Sequence, residues 1–334
     1  MRSKSWLVAC GRTGVALIAL AAVASLLAGC GGLSSSGPAA EGGSLAEAVS
    51  LEGQSYTVGG KDFDEQLVLC QIAVAALESV GAKVTERCNL GGTEANRNAL
   101  LAGDLDMYWD YTGTAWVTFL KQEPIQDSKR QYEAVKERDL VENQIVWLEP
   151  TPFNNTYAFA VKEERAQELG LKTLSDMAAY ISSGRPGNVC IETQYQNRDD
   201  GFQPMQQTYN FQVPPDRVKV QQTGAIYQNT ANPQECLFGE VFTTDGRIPK
   251  LGLRVLQDDK TFHPLYNAAP TVRQEAYDRN PYIAKVFAPI SAALTNEVMT
   301  EMNRQKSADG KPERQVARDW LGSSPRLWCV AADA

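Results

Sequence analysis

The chain has 334 residues, 43% hydrophobic and 22% charged, with 40 acidic against 32 basic side chains and a formal charge of −8. That length allows one large or two medium domains, and the acidity argues against a nucleic-acid surface and against broad electrostatic adhesion to anionic lipid. A single histidine, His263, and the lack of any CxxC spacing argue against a metal site of the zinc type.

In chain order, Arg2, Lys4 and Arg12 precede an apolar run from Val15 to Leu27, too short for a membrane span. The pattern reads as a secretory signal. Leu26-Leu27-Ala28-Gly29-Cys30 resembles the lipobox of bacterial lipoproteins, which implies cleavage ahead of Cys30, lipid on its sulfur and anchorage to a membrane. Residues 1–29 carry three positive charges and no acid, so the remainder moves from −8 to −11. Residues 30–55, rich in Gly, Ser and Ala, read as a flexible tether. Folded sequence is expected from Tyr56.

Gln54–Gly59 reads as a strand and Asp64–Val80 as a helix with Leu67, Val68, Ile72, Ala75 and Leu77 on its apolar side, stopped at Gly81. Lys83–Leu90 is a second strand and Thr93–Ala102 a second helix. The next stretch, GDLDMYWDYTGTAW at Gly103–Trp116, packs four aromatic rings and three carboxylates into fourteen residues. Leu105 to Asp110 alternates as a strand does, and Thr112-Gly113-Thr114 breaks it and starts a helix. A strand that ends in rings and hydroxyls, at the point where an α/β sheet turns into a helix, is where ligands bind.

A helix near Asp127–Asp139 and a short strand at Ile145–Leu148 follow. Thr156–Val161 is a strand that opens a second series: helix 175–183 capped by Thr173 or Ser175, strand 188–192, helix 202–209, strand 217–221, helix 224–229, strands 240–243 and 254–257. Ala268–Val272 is a strand matching the first series, and helices at 281–293, 295–306 and 316–321 finish the chain. The fold class is therefore α/β, with one unit inserted in another: 56–160 with 266–334 as lobe 1 and 161–265 as lobe 2. Crossings near Thr156–Val161 and Gln257–Ala269 form a hinge with a ligand cleft beside it. Five cysteines follow Cys30. The reading pairs Cys70 with Cys88 and Cys190 with Cys236, each within one βαβ unit, and leaves Cys329 free.

Six motifs in order, GGKDFDEQ (59–66), NLGGTE (89–94), DMYWDYTGTAW (106–116), FNNTYAFAV (153–161), FTTDGRI (242–248) and LQDDK (256–260), resemble the substrate-binding proteins of osmoprotectant (glycine betaine, choline, carnitine) ABC importers. The resemblance implies a type II periplasmic-binding-protein fold, a small quaternary amine as ligand, a membrane permease with its ATPase as partner, a monomer, and a place on the outer face of the membrane. It implies no cofactor. Carried over by position, Tyr111, Tyr157, Tyr195, Tyr227 and Phe242 are the candidate cage rings, and Lys61, Thr114 and Arg198 the candidate polar end.

Rings suit this ligand because a quaternary ammonium has no N–H to donate, and its spread charge is held by aromatic faces. A betaine carboxylate needs cations or donors in addition. The commoner pattern GSKNFTE is GGKDFDE here, so Asp62 stands beside Lys61. If Asp62 neutralises Lys61, a ligand with no anionic end, such as choline, is favoured over betaines. The alternatives are a binding protein for another small solute such as an amino acid, or a lipid-tethered sensory module. An enzyme is disfavoured: Glu94, Asp106 and Asp110 offer carboxylates, but no GxSxG, P-loop or GxGxxG accompanies them.

Overall fold

The computed structural model describes residues 49–323. Cys30 and Cys329 lie outside the described residues. Strands β1 (Ser55–Lys61), β2 (Lys83–Gly91), β3 (Met107–Tyr111) and β4 (Ile145–Trp147) alternate with helices α1 (Asp64–Ser79), α2 (Thr93–Ala102) and α3 (Ser128–Asn143). A π-helical turn, Thr114–Phe119, follows β3. The second series comprises β5 (Tyr157–Lys162), α4 (Glu163–Leu169), α5 (Leu174–Ser182), β6 (Val189–Ile191), α6 (Thr193–Asn197), α7 (Phe202–Tyr209), β7 (Val218–Val220), α8 (Thr223–Thr230), β8 (Phe238–Phe242), α9 (Arg247–Lys250) and β9 (Leu253–Val255). Last come β10 (Ala268–Arg273), α10 (Gln274–Arg279), α11 (Ile283–Ala293), α12 (Asn296–Asn303) with a π-helical continuation at Arg304–Ala308, and α13 (Glu313–Ser323).

The strands form two five-stranded sheets, β2-β1-β3-β10-β4 and β7-β6-β8-β5-β9. The two orders are the same pattern. In each, three parallel strands are followed by one antiparallel strand whose chain arrives from the other series: β10 beside β3 in the first sheet, β5 beside β8 in the second. β5 lies wholly in the second sheet, pairing Tyr157 with Phe242 and Lys162 with Leu253. The first crossing therefore precedes Tyr157 and does not run through Thr156–Val161, because ladder bonds on both edges hold that strand. The two crossings run side by side: Asn154 bridges Asn267, the Asn155 N–H bonds the Tyr266 carbonyl at 3.1 Å, and the Thr156 hydroxyl donates to the Pro264 carbonyl at 2.9 Å.

Local chemistry explains the main boundaries. Thr173, not Ser175, caps α5, in a reciprocal box with Asp176. Gly103 ends α2 in the left-handed conformation at φ 83°. α1 is buried along most of its length, and it lies so close to β1 that a Cβ at Gly60 would sit 2.8 Å from the Cys70 Cβ. Cys70 is joined to Cys88 and Cys190 to Cys236, each with Cα atoms 5.8 Å apart. Among the described residues no helix is long and apolar enough to cross a membrane.

Candidate functional site

Parallel strands of a sheet point their carboxyl ends the same way, and the two sheets present those ends to one another across a cavity of about 200 Å³. Lys61, Asp62 and Phe63 follow β1. Tyr111 ends β3, with Thr114 just beyond. Glu192, Thr193 and Gln194 follow β6, and Gln221, Gln222 and Thr223 follow β7. Phe242 ends β8. Tyr157 begins β5 and Tyr266 precedes β10, and because these strands are antiparallel their starts lie at the same edge.

The rings form a continuous wall. Phe63 stacks on Tyr111 (centroids 6.3 Å apart) and on Phe242 (5.5 Å), Phe242 meets Tyr157 at 5.1 Å, and Tyr157 stands edge-on to Tyr266 at 5.5 Å. Of the expected rings, Tyr111, Tyr157 and Phe242 line the cavity. Tyr195 and Tyr227 do not, and both are corrections. Tyr195 is fully buried behind Tyr157, 4.8 Å between centroids, with its hydroxyl bonded to His263 Nε2 at 2.8 Å. Tyr227 is fully buried against β8, its hydroxyl accepting the Phe242 N–H at 2.8 Å and its face covered by the Arg247 guanidinium at 4.2 Å. Phe63 and Tyr266 were not expected. Phe63 had the same signal as Tyr111, a ring at the carboxyl end of a parallel strand.

Lys61, Asp62, Thr114 and Arg198 all line the cavity, but the cations are already paired. Lys61 is buried and donates to Asp110 Oδ1 at 2.7 Å. Burial pushes its ammonium pKa down, against the pull of Asp110. Arg198 grips Asp200 with two bonds, 2.6 and 2.9 Å, and donates to the Thr118 hydroxyl at 3.0 Å. Burial would raise the Asp200 carboxyl, yet Arg198 and the Tyr266 hydroxyl hold it below the ordinary range. Lys61 lies 5.1 Å over the Tyr111 ring, and Arg198 lies 5.5 Å over Tyr157 and 5.9 Å over Tyr266. One face of each of these rings thus already carries a cation.

Asp110, not Asp62, neutralises Lys61. β1 and β3 are neighbours, so Asp110 is aimed across at Lys61, while Asp62 turns out at the strand end and is exposed. Asp62 does not cap α1 either, whose N-cap is Phe63 without a side-chain bond. Glu192, another cavity residue not expected, accepts from the Thr223 hydroxyl. Neither Asp62 nor Glu192 forms a salt bridge among the described residues, so the cavity wall carries two carboxylates beyond its two closed ion pairs. Burial raises the Glu192 carboxyl. No group of three or more metal-ligating side chains occurs among the described residues.

A family model described as "Substrate binding domain of ABC-type glycine betaine transport system" matches residues 54–323. The chain is 36% identical over 305 residues to a "Glycine-betaine-binding protein" of Pseudomonas aeruginosa, covering 90% of this chain and 93% of that one. It is 29% identical to the "Glycine betaine-binding protein YehZ" of Escherichia coli, covering 82% and 93%. The solved structure of apo YehZ superposes with a TM-score of 0.62 over 80% of this chain and 97% of that one, at 28% identity. A solved "glycine betaine/carnitine/choline ABC transporter" structure superposes with a TM-score of 0.68 over 81% and 99%, at 24% identity, a likeness of fold.

Proposed function

The chain belongs to the family of substrate-binding domains of ABC-type glycine betaine transport systems, and from that premise we propose that it captures a single small quaternary ammonium compound between its two sheets and hands it to the importer's permease. Its fold is that of the type II periplasmic binding proteins, it is a binding component and not an enzyme, and proteins of this class act outside the cytoplasm.

The observation that carries the ligand class is the wall of Tyr111, Phe63, Phe242, Tyr157 and Tyr266 around a cavity of small-solute size. In this reading the ammonium lies against the free ring faces. Thr114 and the outer N–H groups of Lys61 and Arg198 meet a polar end where one exists. Asp62 and Glu192 add negative charge without a paired cation, which favours a net cation such as choline over a zwitterion. The sheets act as two lobes that close on the ligand, with the paired crossings as hinge. The monomeric state and lipid attachment at Cys30 belong to the same proposal.

Calorimetric titration of a form lacking residues 1–30 tests it, with choline, glycine betaine and carnitine as ligands and proline and glutamine as controls. A quaternary amine binds, and Tyr111→Ala or Tyr157→Ala weakens it by about 2- to 30-fold per ring, the equivalent of about 0.5–2 kcal/mol each. Choline binding more tightly than glycine betaine supports the charge argument, and the reverse order removes it. If an amino acid binds and no quaternary amine does, the ligand class is wrong.

A further inference from the structure

Resting on the quaternary-amine reading, we propose that the site has a second chamber that takes a hydrogen-bond-donating tail, so that the preferred ligand is longer than glycine betaine and ends in a donor, not in a carboxylate. The ring-lined cavity adjoins a larger one, about 290 Å³. Six residues line both: Asp62, Phe63, Asn155, Gln222, Thr223 and Phe242. The stacked Phe63–Phe242 pair is the partition, and the polar residues form a route beside it.

The two chambers differ in chemistry. The first is walled by rings. The second is closed by Asp64, Glu65, Thr244, Asp245, Asn303 and Ser307, with Arg247 as its one cation. Arg247 is committed to Asp245, at 2.5 Å. The Glu65 carboxylate already accepts from Tyr111, Asn155, Thr244 and Asn303. Two side-chain oxygens are left over, an amide acceptor and a hydroxyl that both accepts and donates. The Asn303 amide nitrogen donates to Glu65 Oε2 at 2.8 Å and to the Thr244 carbonyl at 2.9 Å, which settles the orientation of the amide. Its Oδ1 is then turned away from both and has no partner, in a side chain 3% exposed. The Ser307 Oγ has none either. Asp62, at the junction, has no salt bridge. Buried polar atoms without partners cost about 1–3 kcal/mol each. The Asn303 and Ser307 oxygens are closed off by the wall, and a ligand N–H or O–H meets them when the wall gives way, whereas the carboxylates of Asp62 and Asp64, neither of them buried, stand open to it at once. A carboxylate tail would meet four acids, Asp62, Asp64, Glu65 and Asp245, against one cation that is already paired.

The test compares two probes of matched length in calorimetry on the whole mature chain. One is 5-aminopentyl-trimethylammonium, whose tail ends in a donor. The other is hexyltrimethylammonium, whose tail is apolar. Choline is the short reference. The amino-ended cation binds about tenfold or more tightly than the hexyl one, the effect of a hydrogen bond from a charged group. Ser307→Leu, which fills the second chamber alone, abolishes that preference and leaves choline within about twofold, which also reports that the variant folds. Equal binding of the two long probes overturns the proposal, as does a Ser307→Leu variant that weakens choline and the amino probe alike. If neither choline nor either long cation binds, the quaternary-amine reading itself fails.

Discussion

Glu192, just past the end of β6, and Glu240, on the neighbouring parallel strand β8, face a shared problem. The Glu192 N–H donates to Glu240 Oε2 at 2.7 Å. Burial raises the Glu240 carboxyl well above its ordinary value, and the Glu192 charge raises it further. Arg198, the cation that would relieve them, is held by Asp200. A carboxyl whose folded pKa exceeds its unfolded one binds more protons in the native state. Stability is then full below the unfolded value, about 4.3, and is lost as pH rises from there through the raised folded value. Glu240→Gln keeps an acceptor for the Glu192 N–H and removes one of the charges. Its melting temperature at pH 7 is expected to exceed that of the parent, with the difference shrinking towards pH 4. Melting curves at both pH values check this, and a variant less stable at pH 7 refutes it. The same residue scale shows what sequence could and could not place. Tyr111 and Tyr157 came from the family resemblance, and both line the cavity, one at the end of a parallel strand and the other at the start of an antiparallel one. Tyr195 and Tyr227 do not line it, because whether a ring on a short helix faces the cleft or the core depends on what packs behind it: His263 in one case, Arg247 in the other.

At the scale of elements, the strands and the helices of eight residues or more were readable, and the shortest helices were not. α1 has four turns of apolar spacing, whereas α4, α6, α9 and α10 have two turns or fewer and show no period. Their formation is decided by tertiary contacts. The position of β5 was equally hidden, since TYAFAV pairs as well with one sheet as with another until its neighbours are known. The disulfides tie elements that periodicity alone leaves unjoined. Cys70–Cys88 fastens α1 to β2 across 18 residues, and Cys190–Cys236 fastens β6 to the segment before β8 across 46. Loop-closure entropy then assigns about 3 kcal/mol to the first and about 4 kcal/mol to the second. Urea unfolding of the Cys70→Ala/Cys88→Ala and Cys190→Ala/Cys236→Ala pairs is expected to show losses of that size, the second larger. Equal losses, or a larger loss from the first, mean that packing around α1 outweighs chain entropy.

For the whole molecule the question is what holds the two sheets together. Arg198 to Thr118 at 3.0 Å and the Tyr266 hydroxyl to Asp200 join the two sides where they are partly or fully buried, and three other bonds across the cleft are weak. Lys121–Asp199 is 2.7 Å long but exposed on both sides, Thr93 meets Gln194 at 3.4 Å, and Arg247 approaches Asp64 only to 3.9 Å. An exposed pair such as Lys121–Asp199 contributes about 0–1 kcal/mol. Glu65 is different because it is buried and central. Its Oε1 accepts from the Tyr111 hydroxyl at 2.7 Å and the Asn155 amide at 2.8 Å, and its Oε2 from the Thr244 hydroxyl at 2.6 Å and the Asn303 amide at 2.8 Å. Those donors come from β3, the first crossing, the turn after β8 and the end of α12, so one carboxylate on α1 spans both sheets and the hinge. Separating the sheets removes the Thr244 bond and opens the carboxylate to water. Hydrogen bonds to a charged group contribute about 1.5–3 kcal/mol, so losing one moves the closed-to-open ratio by about 10- to 100-fold. Glu65→Gln puts an NH₂ among four donors, one of which is the hydroxyl of the cavity ring Tyr111, so that ring's anchor changes with it. The expected result is a larger radius of gyration in X-ray scattering without ligand, restored by saturating choline, and weaker choline binding in proportion to the lost closed fraction. Scattering and choline affinity both unchanged in Glu65→Gln would mean that the ligand alone, through the rings it bridges, decides closure.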